Sequence, residues 1–302
     1  REVIQEIDYQ GESILGTEWS PDQSRILTRT SNGTVQLSDI RTGPIRTTRY
    51  GEPSFIRVAW SPDGKYIAVW GTDSKVVIWN AETGDEVLSL DHAGDPNGTQ
   101  WNDSGDRILT WSDDMKLNVW DIESGERIAK IAHQAEVEGA QWGHDETFIL
   151  SWDRKNSVYI WAFQTEPLDR TETPKPIIAI TPNIAETELL AWSDEGAAYV
   201  LTVPTLTEVA HYERPRGQVS VRWSHNGDRI LSVDSDGVVS IREPKSGRET
   251  LSFQVGSFEP GTAALAASWS TDDNHILIWG PFLFGIWNSE NGSQIVDLGS
   301  YP

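Results

Sequence analysis

The chain alternates short apolar runs with polar turns, and the pattern returns about every 41 residues. Runs such as Ile67–Trp70, Ile108–Trp111 and Ile149–Trp152 are mostly apolar and only four residues long. Because they are too short for helices and are bounded by turn residues, they predict buried strands. The turns before them combine Ser, Asp, Asn, Pro and Gly, which favour tight reversals of the chain.

Tryptophan marks the same period, with 15 Trp in 302 residues. The Trp residues fall into three sets at equivalent positions of the repeat, which we call columns. The second column lies ten residues after the first, and the third lies nine residues after the second. Three columns at one period predict seven copies of a unit of four strands, a to d. The first column holds Trp19, Trp60, Trp101, Trp142, Trp223 and Trp269; the second holds Trp70, Trp111, Trp152, Trp192 and Trp279; the third holds Trp79, Trp120, Trp161 and Trp287.

Seven units of four antiparallel strands predict an all-β fold, a seven-bladed β-propeller of four-stranded antiparallel blades. We expect residues 1–302 to form this single domain. A solenoid fits less well, because it favours parallel rungs of shorter period. Asn-Gly pairs at 32–33, 97–98 and 291–292 predict hairpin turns. A glycine recurs five residues after the third column and predicts a further turn, at Gly43, Gly84, Gly125, Gly247 and Gly292.

The ends of strands c resemble the signature of the WD-repeat β-propeller family. Val119-Trp-Asp121 closes one such strand, and a His precedes a first-column Trp by nine residues at His92 and His133. The resemblance covers roughly residues 1–298. It implies a hydrogen-bonded tetrad of His, Ser or Thr, Asp and Trp within a blade. The positions that match the tetrad are His92, Thr110, Asp114 and Trp120, and in part His133, Ser151 and Trp161, with Lys155 in place of the Asp.

Both termini resemble strand d. In WD-repeat propellers an N-terminal strand d usually pairs with the last a–b–c set, which removes two sheet edges. We therefore favour ring closure by residues 2–7, which leaves 294–302 as a spare strand or the start of a following segment. In the alternative assignment, residues 294–298 complete their own blade.

Composition excludes several classes of function. The chain has 24 Lys and Arg against 46 Asp and Glu, a net charge of −22. Such a surface repels phosphate backbones and anionic lipids, so we expect neither nucleic acid nor a membrane as partner. Cysteine is absent, which excludes disulfides and thiolate metal sites; we expect a cytoplasmic location. The most apolar stretch, 275–287, is shorter than the ~20 residues of a membrane helix.

No pattern of catalytic residues stands out. The chain has no HExxH, GxSxG or P-loop motif. Its most regular carboxylates share one turn position, which indicates backbone hydrogen bonding rather than acid–base chemistry. We therefore expect no enzymatic activity, no metal and no cofactor. The carboxylates at this turn position are Asp22, Asp63, Asp103, Asp145 and Asp272.

The remaining expectation is a non-catalytic platform that binds a partner protein or peptide through loops on one face of the ring, and the acidic surface favours a basic partner. Acidic side chains would steer a cationic partner, Phe would anchor it, and two Arg would pair with acidic groups. The candidates in the d–a and b–c loops are Phe55, Asp95, Asn97, Glu136, Arg154, Asp194, Arg216 and Phe258.

Other interpretations remain open. The resemblance also fits a C-terminal sensor or scaffold domain of a large bacterial signalling or defence protein, whose partners include further domains of the same chain. Residues 59–68 resemble the repeat of periplasmic TolB-type propellers, although the Trp-Asp ends of strands c argue against this class. A propeller hydrolase would need a convergent catalytic cluster. Halophilic adaptation would explain the acidic charge without any partner.

Overall fold

The computed structural model describes residues 11–49, 56–143, 146–162, 167–213, 218–256, 265–281 and 283–298. Among these residues, 28 strands form seven four-stranded antiparallel sheets, and no helix occurs. Within every sheet the four strands lie side by side in chain order. The predicted all-β architecture of seven four-stranded blades is therefore confirmed.

The chain divides into two compact units, Arg1–Ser151 and Trp152–Pro302, and the division falls within sheet 4. Three sheets lie wholly in the first unit. Sheet 1 contains β1 (Ile14–Trp19), β2 (Arg25–Thr30), β3 (Thr34–Asp39) and β4 (Gly43–Arg49). Sheet 2 contains β5 (Arg57–Trp60), β6 (Tyr66–Trp70), β7 (Lys75–Asn80) and β8 (Glu86–Asp91). Sheet 3 contains β9 (Pro96–Trp101), β10 (Arg107–Ser112), β11 (Lys116–Asp121) and β12 (Arg127–Ala132).

Sheet 4 contains β13 (Val137–Trp142), β14 (Phe148–Asp153), β15 (Ser157–Ala162) and β16 (Pro167–Glu172). The other three sheets lie in the second unit. Sheet 5 contains β17 (Ala179–Pro182), β18 (Glu188–Trp192), β19 (Ala197–Thr202) and β20 (Glu208–Glu213). Sheet 6 contains β21 (Gln218–Trp223), β22 (Ile230–Asp234), β23 (Val238–Arg242) and β24 (Glu249–Gln254). Sheet 7 contains β25 (Ala266–Trp269), β26 (His275–Gly280), β27 (Leu283–Asn288) and β28 (Gln294–Asp297).

Neighbouring sheets of one unit pack face to face because side chains alternate along each strand. On β6, Ile67 and Val69 enter the core between sheets 1 and 2. The residues between and after them, Ala68 and Trp70, enter the core between sheets 2 and 3. A central strand is therefore apolar on both faces, which explains the continuous apolar runs of the sequence.

The tryptophan columns mainly fill these spaces between sheets. Trp101 and Trp269 of the first column and Trp79 of the third are almost fully buried. Trp101 Nε1 donates to the carbonyl of Ala59 in the preceding sheet at 3.3 Å. Trp19 differs, with 56% of its surface exposed.

Most predicted turns are present. The five recurring glycines from 43 to 292 all have positive φ, a conformation that glycine adopts without strain. At Gly84 a side chain is also excluded by space, since a Cβ there would lie 2.7 Å from Cβ of Arg46. The Asn-Gly prediction holds at 32–33 and 291–292, where Gly33 and Gly292 have positive φ. It is wrong at 97–98, which lie inside β9.

The C-terminal segment is placed differently from the favoured assignment. Gln294–Asp297 is not a spare strand: as β28 it pairs antiparallel with β27 and completes sheet 7. The reason is the c–d turn, whose Gly292 amide donates to Asn288 and turns the chain back along β27. Residues 2–7 lie outside the described residues. Within the described ranges, no helix is long and apolar enough to cross a membrane.

Candidate functional site

Three of the predicted turn aspartates, Asp22, Asp63 and Asp272, are bound to their own a–b turns. Asp103 lies one position earlier in its turn, where Ser104 takes the third position and donates to Asp106. Ser20 Oγ donates to Asp22 at 2.6 Å, and Ser61 Oγ donates to Asp63 at 2.7 Å. Hydrogen bonds from Ser20 and Ser24 lower the pKa of Asp22 to about 2. Asp272 is held in the same way by its turn serine at 2.6 Å. These carboxylates therefore stabilise the turns and stay ionised at neutral pH. A general acid must hold a proton near neutral pH, so these groups do not suit that role.

No metal site is formed by the side chains that the structure describes. Groups of three or more His, Asp or Glu that could hold an ion do not occur among the described residues. The turn aspartate Asp145 lies outside the described ranges.

Three of the four tetrad residues in sheet 3 are hydrogen bonded to one another. Thr110 Oγ1 lies 2.7 Å from Nε2 of His92 and accepts the indole N–H of Trp120 at 2.8 Å. His92 Nδ1 lies 2.9 Å from the carbonyl of Leu90, which can only accept. Nδ1 therefore carries the proton, and Nε2 accepts from the hydroxyl of Thr110. Burial lowers the pKa of His92, consistent with a neutral imidazole.

The fourth member, Asp114, supports the neighbouring b–c turn. It accepts Ser112 Oγ at 2.6 Å and the backbone N–H of Lys116 at 3.1 Å. In sheet 4 the corresponding His133 and Ser151 are joined at 3.0 Å, while Trp161 stacks on Tyr159 with ring centroids 5.2 Å apart. These groups are internal to their sheets and support the fold.

An open cavity of about 290 Å³ lies between sheets 2 and 3, at the end of the strands where the b–c turns and d–a loops meet. Its volume is near the lower limit of pockets for drug-sized ligands, ~300 Å³. The size therefore suits a single side chain of a partner. The lining residues are Arg57, Trp70, Gly71, Thr72, Asp95, Pro96, Asn97 and Asp113.

The backbone of Gly71 lines one side of the cavity, at a position where most other sheets have a buried polar residue. Gly71 directly follows the second-column Trp70. A Cβ at Gly71 would lie 3.8 Å from Ile56, which belongs to the core between sheets 1 and 2. A side chain at this position would therefore point away from the cavity. In five other sheets the equivalent position holds a buried polar residue, namely Thr30, Ser112, Asp153, Ser193 and Asp234.

Two acidic groups hold the rim of the cavity. Asp95 accepts the backbone N–H of Ser74 at 3.1 Å and its hydroxyl at 3.0 Å, which ties the d–a loop to sheet 2. Asp113 accepts Asn97 Nδ2 at 2.8 Å, which ties β9 to the next turn. Each carboxylate has acceptor sites for about four hydrogen bonds. Both therefore retain acceptor capacity for a ligand.

The wall of the cavity is aromatic. Trp70 is 8% exposed, and its buried Nε1 has no hydrogen-bond partner among the described residues. Arg57 of β5 pairs with Trp70 of β6. In sheet 3 the residue that pairs with the equivalent Trp111 is Gly98. An indole beside two carboxylates and one guanidinium gives a lining with more negative than positive charge, which suits a cationic side chain.

Of the predicted partner-binding residues, the structure brings Asp95 and Asn97 together on this cavity. Glu136 occupies the equivalent d–a loop of the next sheet and is half-buried, whereas Arg154 and Asp194 are exposed in turns of the second unit. The sequence analysis did not select Arg57, Trp70 or Asp113. No local signal in the sequence marked these three residues, because they meet only through the packing of sheet 3 against sheet 2. The predicted residues outside the described ranges are Phe55, Arg216 and Phe258.

Comparison with known proteins supports the repeat assignment. Residues 44–80 match the family model described as "WD domain, G-beta repeat". The crystal structure of the computationally designed Ika8 protein aligns with a TM-score of 0.72 at 17% identity, covering 96% of this chain and 88% of that chain. No curated protein gives a significant match. The resemblance to WD-repeat propellers is thus confirmed, and such propellers generally act as non-catalytic scaffolds for protein partners.

Proposed function

We propose that this chain is a non-catalytic scaffold and that the cavity between sheets 2 and 3 binds a Lys or Arg side chain of a partner protein. The observation that carries the proposal is the combination of Asp95, Asp113 and the buried indole of Trp70 around one side-chain-sized space. Carboxylates pair with ammonium and guanidinium groups, and an aromatic wall attracts the same cations.

The rigidity of the rim supports tight positioning of such a ligand. Asp95 and Asp113 are both held by hydrogen bonds to neighbouring loops. A Cβ at Gly94 would lie 3.1 Å from the backbone N of Asp114, so the d–a loop lies directly against the turn. A binding site that is ordered before the ligand arrives loses less conformational entropy on association.

The net charge of −22 supports the same class of partner. A strongly acidic protein attracts basic partners over a distance and increases their association rate at low salt. The charge explains only the encounter. Specificity must come from short-range contacts such as those at the cavity.

The proposal is tested by selecting displayed random peptides on the immobilised protein and titrating the enriched sequences by fluorescence anisotropy. We expect enrichment of Lys and Arg. The double variant Asp95→Asn, Asp113→Asn keeps an acceptor oxygen at each loop contact and removes only the charges. It should bind the selected peptides at least about tenfold more weakly, a loss of about 1.4 kcal/mol.

A second variant tests the aromatic wall rather than the charge. Trp70→Leu removes the indole that lines the cavity and keeps an apolar side chain, and it should also weaken binding. The matched control is Trp152→Leu, at the equivalent second-column position of sheet 4, where the Trp is equally buried; it should bind like the wild type. Selected peptides without basic residues, or equal affinity of the wild type and both cavity variants, would refute the proposed function.

A further inference from the structure

The cavity between sheets 2 and 3 has its charged groups separated by sheet. The two carboxylates, Asp95 and Asp113, lie on the side formed by the loop before β9 and the b–c turn of sheet 3. The one guanidinium, that of Arg57, lies on the side of sheet 2 next to Trp70. A ligand that is complementary to both sides therefore carries a positive group and a negative group.

Arg57 occupies a position of strand a that is small in every other sheet. It pairs with Trp70 across the strands, so both side chains lie on the face that packs toward sheet 3. Because the other six sheets have no large side chain at this position, the strand pair does not require the guanidinium. A repeat departs from its own rule mainly where function acts on the position. The equivalent residues are Gly16, Gly98, Gly139, Ala179, Ser220 and Ala266.

The guanidinium of Arg57 can reach a ligand from solvent. Arg57 is exposed, and its Nη1 approaches the carbonyl oxygen of Ile56 at a distance of 3.4 Å. A guanidinium offers five N–H donors in a planar fork, so a contact with one carbonyl does not exhaust it. Arg29 Nη1 donates to the same carbonyl at 2.8 Å, which places a second guanidinium close to the first.

The neighbouring charges do not cancel this separation. Burial raises the pKa of Glu18, and the charge of Arg29 acts against the rise, which matches Glu18 to Arg29 rather than to Arg57. The other carboxylates of the two b–c turns are paired with lysines. These pairs are Asp73 with Lys75 at 3.9 Å and Asp114 with Lys116 at 3.6 Å. Among the described residues, the guanidinium of sheet 2 thus remains opposite the two carboxylates of the cavity.

We propose that the cavity binds the C-terminal Lys or Arg of a partner polypeptide, an inference that rests on the proposed function. The side-chain cation contacts Asp95 and Asp113, and the terminal carboxylate contacts Arg57, whose planar fork matches carboxylate geometry. The volume of about 290 Å³ suits one residue. Only at a C-terminus does one residue carry both a basic side chain and a carboxylate. A basic residue within a chain needs a second, acidic residue to pair with Arg57.

The test compares acetyl-Gly-Ala-Ala-Lys with a free C-terminal carboxylate and the same peptide with a C-terminal amide. Affinities are measured by nuclear magnetic resonance titration of the ¹⁵N-labelled protein at about 0.15 M sodium chloride, which screens the long-range effect of the net charge. We expect the wild type to bind the free-acid peptide at least tenfold more tightly. Arg57→Ser, which copies Ser220 of sheet 6, should reduce this ratio to less than twofold. Arg57→Lys keeps the charge and should retain a ratio of at least threefold.

The matched control is Arg222→Ser, which removes an exposed strand-a arginine of sheet 6 and should keep the wild-type ratio. An Arg57→Ser ratio equal to that of the wild type would overturn the inference. So would equal binding of the two peptides by the wild type, and the proposed function stands if Asp95→Asn, Asp113→Asn weakens both. If neither peptide binds, or if that double variant binds both like the wild type, the proposed function is wrong as well. Free L-lysine that binds as tightly as the free-acid peptide would refute the assignment to a polypeptide terminus.

Discussion

At the residue scale, one turn position shows how the repeat tolerates an unfavourable backbone. The fourth residue of the a–b turn has positive φ in all seven units, whether or not it is glycine. At two of the three acidic positions, the side chain is seen to reach the preceding sheet: Glu146 contacts Asn102 at 2.9 Å, and Asp273 contacts His225 and Asn226. The seven residues are Gln23, Gly64, Gly105, Glu146, Glu186, Gly227 and Asp273.

Asp273 provides a quantitative test of this arrangement. It is 4% exposed and accepts the backbone N–H groups of His225 at 2.8 Å and Asn226 at 3.0 Å. Asp273→Ala removes both acceptors and keeps the strained φ of 58°, so we expect a loss of about 2–4 kcal/mol in the free energy of unfolding. Asp273→Gly should lose about 1 kcal/mol less, because glycine relieves the strain. Urea denaturation measures both; a glycine variant less stable than the alanine variant would contradict this account.

The same residue makes the stability dependent on pH. Burial would raise the pKa of Asp273, but hydrogen bonds from His225 and Asn226 outweigh it and hold the pKa below its ordinary value of 3.8. A carboxyl group whose pKa is lower in the folded state stabilises the fold above its unfolded pKa. That contribution is lost as the pH falls through the folded pKa. The stability difference between the wild type and Asp273→Ala should therefore be largest near neutral pH and decrease below about pH 4.

At the element scale, the pairing of β9 with β10 explains why an Asn-Gly pair lies in a strand. Gly98 is opposite Trp111, and a Cβ at Gly98 would lie 2.2 Å from the indole. The glycine thus serves the close approach of an aromatic ring rather than a turn. In sheet 6 the same pair is Ser220 and Val233, where a smaller partner permits a side chain. The turn prediction failed because the identity of the cross-strand neighbour was not known from the local sequence.

A double-mutant cycle tests this pairing. Gly98→Ala should destabilise the protein by about 2–4 kcal/mol, because the indole must leave its position. In a Trp111→Val background, which copies Val233 of sheet 6, the same change should cost about 0.5 kcal/mol or less. Chemical denaturation of the four proteins gives the coupling free energy. Equal costs of Gly98→Ala in the two backgrounds would show that the contact with Trp111 is not the cause.

At the scale of the whole molecule, the net charge of −22 sets a long-range repulsion that no local contact removes. Most described ion pairs are exposed at one or both partners, such as Lys65 with Asp63, and such pairs contribute little. We expect the thermal midpoint at pH 7 to rise as sodium chloride increases from about 0.01 M to about 0.15 M, where the screening length falls from about 30 Å to about 8 Å. Calorimetry measures it. A midpoint that falls with salt would indicate that attractive charge contacts dominate.

The amino-acid sequence alone determined the repeat. The Trp columns, the turn glycines and the alternation of apolar runs with turns predicted seven four-stranded sheets, because each feature depends on local chain geometry and on burial that repeats with the unit. The turn aspartates were also predictable, since their partners lie two residues away, as Ser20 does from Asp22.

Only the tertiary structure decided the features that depend on neighbours distant in sequence. The cavity requires Trp70 of sheet 2 and Asp113 of sheet 3 to meet, and the placement of Gly98 requires Trp111. The pairing of Gln294–Asp297 with β27 decided between two d-like segments of similar sequence. In a repeated sequence, equivalent positions have similar local sequence and therefore predict the same local structure. Differences between units arise because those positions contact different side chains, on the neighbouring strand or in the neighbouring sheet.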